Sequence, residues 1–392
     1  MTDTQATSAL RVATLFDGKR WHHDCGVLLA AGNIHSLVPG ATVAADIPCD
    51  TLSRGRLVPG FIDLQVNGGG GVMFNNTPTA EAINHIAASH RRGGTTSLLP
   101  TLLSDTREVL EAGVAAVRSA RADGAPGILG IHIEGPFFAQ TRRGTHRADR
   151  LRAPASKDID WLCGVVDVPR VLTLAPELML PGQIRRLTDA GIRVCAGHSD
   201  ATFAQVQQAC NEGLRGFTHV FNAMSPLSAR EPGVTGAALD SSGCWLGIIA
   251  DGHHVHPASI RIARHCAPPG KLYLVSDAMA TVGSDLRGFE LYGEYIEVHD
   301  GKLINSEGSL AGSAINMGDA VRYCHQEVGL ALEECLRMAS LYPAQFLNEP
   351  TLGRIAPGCR ADLVLLDDAL QVRSTWVAGE RCDHTVNGAA AL

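Results

Sequence analysis

Short apolar runs alternate with helical patterns between residues 58 and 349, and no other feature constrains the fold of this chain as much. Candidate strands are 61–66, 95–101, 127–134, 171–175, 192–198, 216–220, 245–250 and 272–276. Helical periodicity separates most of them, at 79–92, 105–122, 182–190, 201–212 and 257–265, and two further helices at 314–328 and 332–340 close the series. Continuous apolar runs suit parallel strands buried on both faces. Eight such strands with crossover helices predict an α/β fold, a (β/α)8 TIM-type barrel. A doubly wound open sheet would normally carry a glycine-rich nucleotide loop after its first strand. Gly68-Gly69-Gly70-Gly71 lacks both the following Lys-Ser/Thr and the spaced-glycine pattern, so it gives that alternative little support.

The ends of the chain read differently. Residues 9–15, 26–31 and 33–38 are short strands divided by the turn pairs Asp17-Gly18 and Gly32-Asn33, and the C-terminal part offers matching pieces at 353–358, 361–367 and 372–377. Residues 1–57 and 350–392 are therefore expected to form one β-sandwich outside a barrel of 58–349. Residues 283–312 interrupt the barrel pattern. Strands at 292–298 and 302–304 around His299-Asp300-Gly301 read as an inserted hairpin, leading to a small-residue loop, Ser309-Leu310-Ala311-Gly312-Ser313.

Four barrel runs end on chemistry-bearing residues. One hands Glu134 to the turn Gly135-Pro136; others end at His198, His219 and Asp277. The C-terminal rim of such a barrel is where catalytic side chains gather. Singly, each residue could be an ordinary polar strand end. Glu134, His198 and His219 on one rim make three ligands for a divalent ion with a coordination position left open. Asp277 beside them is placed to take a proton from an attacking water and to return one to a leaving amine. On the first strand Gln65 and Asn67 share a face, because side chains alternate. Amides are poor substitutes for imidazoles as ligands, so this face predicts polar packing or hydrogen bonding to water at a single metal ion.

Composition narrows the class. A net charge of -7 with no basic stripe argues against nucleic acid and anionic membrane as partners. No apolar run reaches the roughly 18 residues that span a bilayer, and Met1-Thr2-Asp3-Thr4-Gln5 lacks the order of a signal peptide, so a cytoplasmic location is expected. Eleven cysteines, an odd count without a Cys-x-x-Cys pair, read as reduced and mostly buried thiols, Cys195 and Cys210 among them.

Pro59-Gly60-Phe61-Ile62-Asp63-Leu64-Gln65-Val66-Asn67-Gly68, His132-Ile133-Glu134-Gly135-Pro136, Gly197-His198-Ser199, Thr218-His219-Val220-Phe221-Asn222-Ala223-Met224, Arg230-Glu231-Pro232-Gly233 and Ser276-Asp277-Ala278 resemble the amidohydrolase superfamily. Within it the resemblance is to the N-acetylglucosamine-6-phosphate deacetylase family, and it runs nearly end to end. It implies hydrolysis of an acetamide on a phosphorylated amino sugar. It also implies one divalent ion per subunit, zinc first, with Fe2+, Mn2+ or Co2+ as alternatives. The implied ligands are Glu134, His198 and His219, and the implied proton carrier is Asp277.

The same resemblance assigns His146 to the acetyl carbonyl. Thr145, Asn222, Ala223, Arg230 and His254 are assigned to substrate binding, and Leu310, Ala311 and Gly312 to the loop along the sugar. It implies a homodimer in which Arg230 and His254 reach the neighbour's site. His132, His253 and His256 are expected to support the site or face solvent. Many superfamily members carry His-x-His on the first strand and bind two ions; Gln65-x-Asn67 departs from that and implies one. The rival readings are a deacetylase for the galactosamine epimer, a hydrolase of another N-acyl compound, and a barrel scaffold without chemistry.

Overall fold

The structure is a computed structural model that describes residues 6–384; Met1-Thr2-Asp3-Thr4-Gln5 lies outside them. An eight-stranded parallel sheet runs through Phe61–Val66, Thr95–Leu102, Ile131–Glu134, Arg170–Leu174, Arg193–Ala196, Gly216–Phe217, Trp245–Ile249 and Leu272–Val275, each strand hydrogen-bonded to the next. A parallel bridge between Val66 and Ala278 closes the ring, with Asp277 N donating to Gln65 O at 3.0 Å. The predicted (β/α)8 barrel is present. Its strands are fully buried, as their apolar composition requires.

Most strands stop short of their predicted ends. His198, His219 and Asp277 each lie two residues beyond the last residue of their strand. All three have left-handed backbones, with φ of 50°, 33° and 54°. Apolar content alone does not mark where a strand turns out of the barrel, so the expected fifth and sixth strands run on through His198 and His219 and the eighth to the residue before Asp277.

Helices follow the strands at Ala80–Arg91, Arg107–Ala122, Gln183–Asp189, Phe203–Asn211 and Pro257–Cys266. Three helices went unpredicted: Ser156–Gly164, Gly233–Asp240 and Leu341–Leu347. The insertion is a three-stranded antiparallel sheet, Gly288–Leu291, Glu294–His299 and Lys302–Ile304, rather than a two-stranded hairpin. Phe289, Leu291, Ile296 and Leu303 pack with Met73, Leu103 and Met279.

The chain divides into two compact units. Among the described residues, 6–63, 90–97 and 316–384 make one; Leu64–Ser89 and Leu98–Ile315 make the other. In the first, the strands of both chain ends lie in one sheet, joined where Arg56–Pro59 pairs antiparallel with Leu363–Leu366. Leu10, Val12, Leu15, Leu57, Leu363 and Trp376 fill its core. This unit also takes in Asn316 to Leu347, which the sequence reading gave to the barrel. No helix among the described residues is long and apolar enough to cross a membrane. The cysteines are all free, but Cys49, Cys266 and Cys382 are exposed and Cys163 and Cys210 only half-buried, which corrects the expectation of burial for those five.

Candidate metal centre and substrate pocket

Glu134 is the last residue of the third strand, and the left-handed turns after the fifth and sixth aim His198 and His219 at it. Their ligand atoms form a small triangle: His219 Nε2 to Glu134 Oε1 3.1 Å, His198 Nε2 to Glu134 Oε1 3.3 Å, and His198 Nε2 to His219 Nε2 3.1 Å. The edge of a tetrahedron with bonds of about 2.0–2.2 Å is roughly 3.3–3.6 Å, so this triangle fits one divalent ion with little adjustment. Among the described residues it is the one cluster of three such groups. His198 Nδ1 lies 2.9 Å from Arg142 O. A carbonyl only accepts, so the His198 proton is on Nδ1 and the Nε2 lone pair faces the centre, the arrangement a metal-binding imidazole needs. Phe138 stacks on the His198 ring at 4.3 Å and holds its plane.

Burial raises the Glu134 carboxyl, but its close contacts with the His198 and His219 imidazoles outweigh it and hold the group well below the usual carboxylate range. At Asp277 burial dominates. With the repulsion of Glu134 it lifts the carboxyl to about 7, against the opposing pull of His219, His254 and Asn67. These two carboxyls therefore differ sharply in proton affinity, the pattern expected of a ligand beside a proton carrier.

Gln65 and Asn67 support the carboxylates directly. Gln65 Nε2 donates to Glu134 Oε1 and to Asp277 Oδ1, both at 3.0 Å, and Asn67 Nδ2 donates to Asp277 Oδ1 at 2.7 Å. Of the two expected roles, polar packing or a bond to water, these contacts are the first: they orient the two acids. His132 Nε2 meets Thr173 Oγ1 at 2.7 Å. His253 and His256 are exposed, and His256 Nδ1 caps the helix Pro257–Cys266 by accepting from Ala258 N.

Thr145, His146, Asn222, Ala223, His254, Leu310 and Gly312 line a pocket of ≈ 140 Å³ together with the centre and Asp277. His146 is buried, and Ser104 N donates to its Nδ1 at 3.1 Å. An N–H can only donate, so the His146 proton is on Nε2. Burial and the neighbouring His198 push this imidazole down to about 3, which keeps it a neutral donor. Gly135 at φ 91° lets the chain pass Ser104, since a Cβ there would lie 2.1 Å from Ser104 Oγ. A larger cavity of ≈ 340 Å³ beside Arg92, Arg322 and His384 in the other unit brings no such ligand cluster together.

Two expected placements differ, those of Ala311 and His254. Ala311 is fully buried in the core of the inserted sheet, its N–H bonded to Leu303 O at 3.0 Å, so its neighbours Leu310 and Gly312 line the pocket instead. Arg230 is exposed on the segment before Gly233–Asp240 and does not line the pocket. His254 lines the pocket of its own chain, because the loop carrying it leaves the seventh strand of the same barrel; no neighbour is needed to bring it there. Two supporting residues escaped the sequence reading. Ser104 ends the second strand's apolar run as Glu134 ends the third, and the same rule would have found it. Asp251 stands in Asp251-Gly252-His253-His254, a segment read only for its histidines.

Comparison with known proteins agrees with this geometry. The amidohydrolase family model matches residues 56–382. The N-acetylgalactosamine-6-phosphate deacetylase of Shewanella sp. (strain ANA-3) is 43% identical over 364 residues, 91% of each chain. The N-acetylglucosamine-6-phosphate deacetylase of Homo sapiens is 40% identical over 341 residues, 83% of this chain and 82% of that one. The crystal structure of N-acetylglucosamine-6-phosphate deacetylase from Pasteurella multocida superposes with a TM-score of 0.93 at 35% identity, covering 96% of this chain and 100% of the other.

Proposed function

The chain belongs to the amidohydrolase family, and from that membership we propose that it hydrolyses the acetamide of N-acetyl-D-glucosamine 6-phosphate to D-glucosamine 6-phosphate and acetate. The observation that carries the proposal is the convergence of Glu134, His198 and His219 beside an Asp277 held by Gln65 and Asn67. Glu134, His198 and His219 would hold one divalent ion, zinc by the nitrogen-rich donor set. That ion would supply Lewis-acid polarisation of the acetyl carbonyl and a lower pKa for water.

The chain's own groups do the rest. His146 donates a hydrogen bond from Nε2–H to the carbonyl oxygen as negative charge develops there, and the neutral imidazole keeps its proton. Asp277 accepts a proton from the attacking water and passes one to the nitrogen as the C–N bond breaks. Gln65 and Asn67 keep the Asp277 carboxylate aimed through both steps. His254 and Asn222 meet the phosphate end, and Leu310 and Gly312 flank the sugar. The molecule works as a homodimer in which exposed Arg230 reaches the neighbouring pocket, where its planar fork suits phosphate oxygens.

The identity to the Shewanella protein favours a second reading, preference for the galactosamine epimer. Acetate release from both epimers, phosphorylated and not, tests the two. The glucosamine 6-phosphate derivative should have the higher kcat/KM; a reversed order selects the second reading. Release from neither phosphorylated epimer overturns both.

A further inference from the structure

His254 is held by an acid that no step above uses. Asp251 Oδ2 lies 2.6 Å from His254 Nδ1, with the two side chains 3% and 7% exposed. Asp251 Oδ1 accepts the backbone N–H of His253 and of His254, each at 2.8 Å. A carboxylate accepts and does not donate, so the proton between them sits on His254 Nδ1. The other ring nitrogen, on the far side of the imidazole, is the one left for the pocket. This is the opposite of His146, whose Nδ1 faces the N–H of Ser104. The two pocket imidazoles are thereby given different work.

We propose that Asp251 is a positioning residue for recognition of the substrate's anionic end. It fixes the plane of His254, keeps the Nδ1 proton in place and leaves Nε2 to face phosphate, with the Asp251 carboxylate there to balance a second proton on that nitrogen. The inference rests on the reading that His254 meets that phosphate. It predicts specificity for a phosphorylated sugar rather than faster chemistry, because the Asp251–His254 pair supports binding and not the reacting carbonyl.

Asp251→Asn separates this role from simple support of the loop. The two backbone N–H groups will draw the amide oxygen to the place of Oδ1, leaving the amide NH2 against His254 Nδ1. The ring must then accept at Nδ1 and carry its one proton on Nε2, so it meets phosphate as a neutral imidazole without charge assistance, the kind of tautomer reversal that an Asp-to-Asn change imposes on a histidine. The full-length, metal-loaded chain is assayed with the phosphorylated sugar epimer it turns over faster, and with the same sugar lacking phosphate. The expected result is a rise of about tenfold or more in KM for the phosphorylated sugar, the scale of one charge-assisted hydrogen bond. A fall in kcat of less than about threefold and little change on the unphosphorylated sugar complete the signature, since neither depends on that bond.

Spectra of protein labelled with 15N-histidine should show a proton on His254 Nδ1 in the wild type and none on Nδ1 in the variant. Equal losses on both sugars with a lower melting temperature, or an unchanged KM, overturn the proposal. So does a wild-type His254 without a proton on Nδ1, whether or not the variant folds. His254→Gln is run in parallel. If it too leaves KM for the phosphorylated sugar unchanged, the assignment of His254 to phosphate has failed; if it raises KM and Asp251→Asn does not, only the positioning role has failed.

Discussion

His198, His219 and Asp277 occupy a backbone region that residues with a Cβ visit reluctantly, at a cost of about 1–3 kcal/mol each. The surrounding bonds hold them there: Asp277 N to Gln65 O, Ala139 N to His198 O, and Asn222 N to His219 O. The return on that strain is geometric, since a strand that turns sharply at its last residue points the side chain across the barrel mouth. Asp277→Asn tests the role of the acid without disturbing the turn, because asparagine accepts a left-handed conformation readily. The variant should keep its melting temperature and bound metal while kcat falls by about 10²–10⁴-fold, the usual share of a general acid-base group. Turnover near that of the wild type would remove Asp277 from the reaction.

Asp251 makes a separate prediction about stability. Its carboxyl is held at about 2, because burial, which raises it, is outweighed by the hydrogen bond and charge of His254 and by two backbone N–H groups. A folded value below the unfolded one, near 3.9, adds stability that is present above the unfolded value and lost as pH falls toward the folded one. The stability difference between wild type and Asp251→Asn in urea should be level above about pH 5 and shrink by about 2 kcal/mol between about pH 4 and 2. A difference independent of pH would contradict it. At this scale Glu134, His198, His219 and Asp277 were legible because each ends an apolar run. His146 needed a family resemblance, since a histidine in a turn looks like any surface histidine. Ser104 and Asp251 were missed because they act through other side chains, which sequence spacing does not reveal.

Among the elements, the helix Phe203–Asn211 begins just after the turn that carries His198. Thr202 opens it with a capping box, accepting from Gln205 N while Gln205 returns a bond to Thr202 N. Glu177 braces the same turn, taking Ser199 Oγ at 2.6 Å and Asp200 N at 2.7 Å. Thr202→Ala should cost about 1 kcal/mol in denaturant unfolding and leave KM and kcat near wild type, because Ser199 and Asp200 remain tied to Glu177. A large loss of activity at unchanged stability would show that the cap reaches the metal centre.

The barrel helices with clear apolar periodicity were legible. Gly233–Asp240 was not, because Gly-Val-Thr-Gly-Ala-Ala-Leu-Asp is small and buried nearly all round and presents no polar face. Leu341–Leu347 hid behind Pro343, which sits in the first turn where the missing N–H costs nothing. Ser156–Gly164 buries only Asp158, Ile159 and Leu162, too few positions to show a period.

For the whole molecule, barrel topology brings residues from 65 to 312 to one pocket within a single compact unit, while the sheet of the chain ends belongs to the other. The barrel was readable from its alternation; where a sandwich of the two chain ends was expected, the structure shows strands of both ends paired in one sheet. The grouping of Asn316 to Leu347 with the terminal sheet was not, since periodicity marks a helix but not what it packs against. The central claim is that one ion in the Glu134, His198 and His219 triangle enables amide hydrolysis. The most direct measurement strips the protein with a chelator, restores Zn2+ in steps, and follows bound metal and acetate release from N-acetylglucosamine 6-phosphate together, for the wild type and Glu134→Gln. The account predicts no release from the stripped protein, activity rising in proportion to metal up to one equivalent per chain, and loss of both binding and release in the variant. Undiminished release after stripping, or a Glu134→Gln protein that binds metal and releases acetate like the wild type, would contradict it.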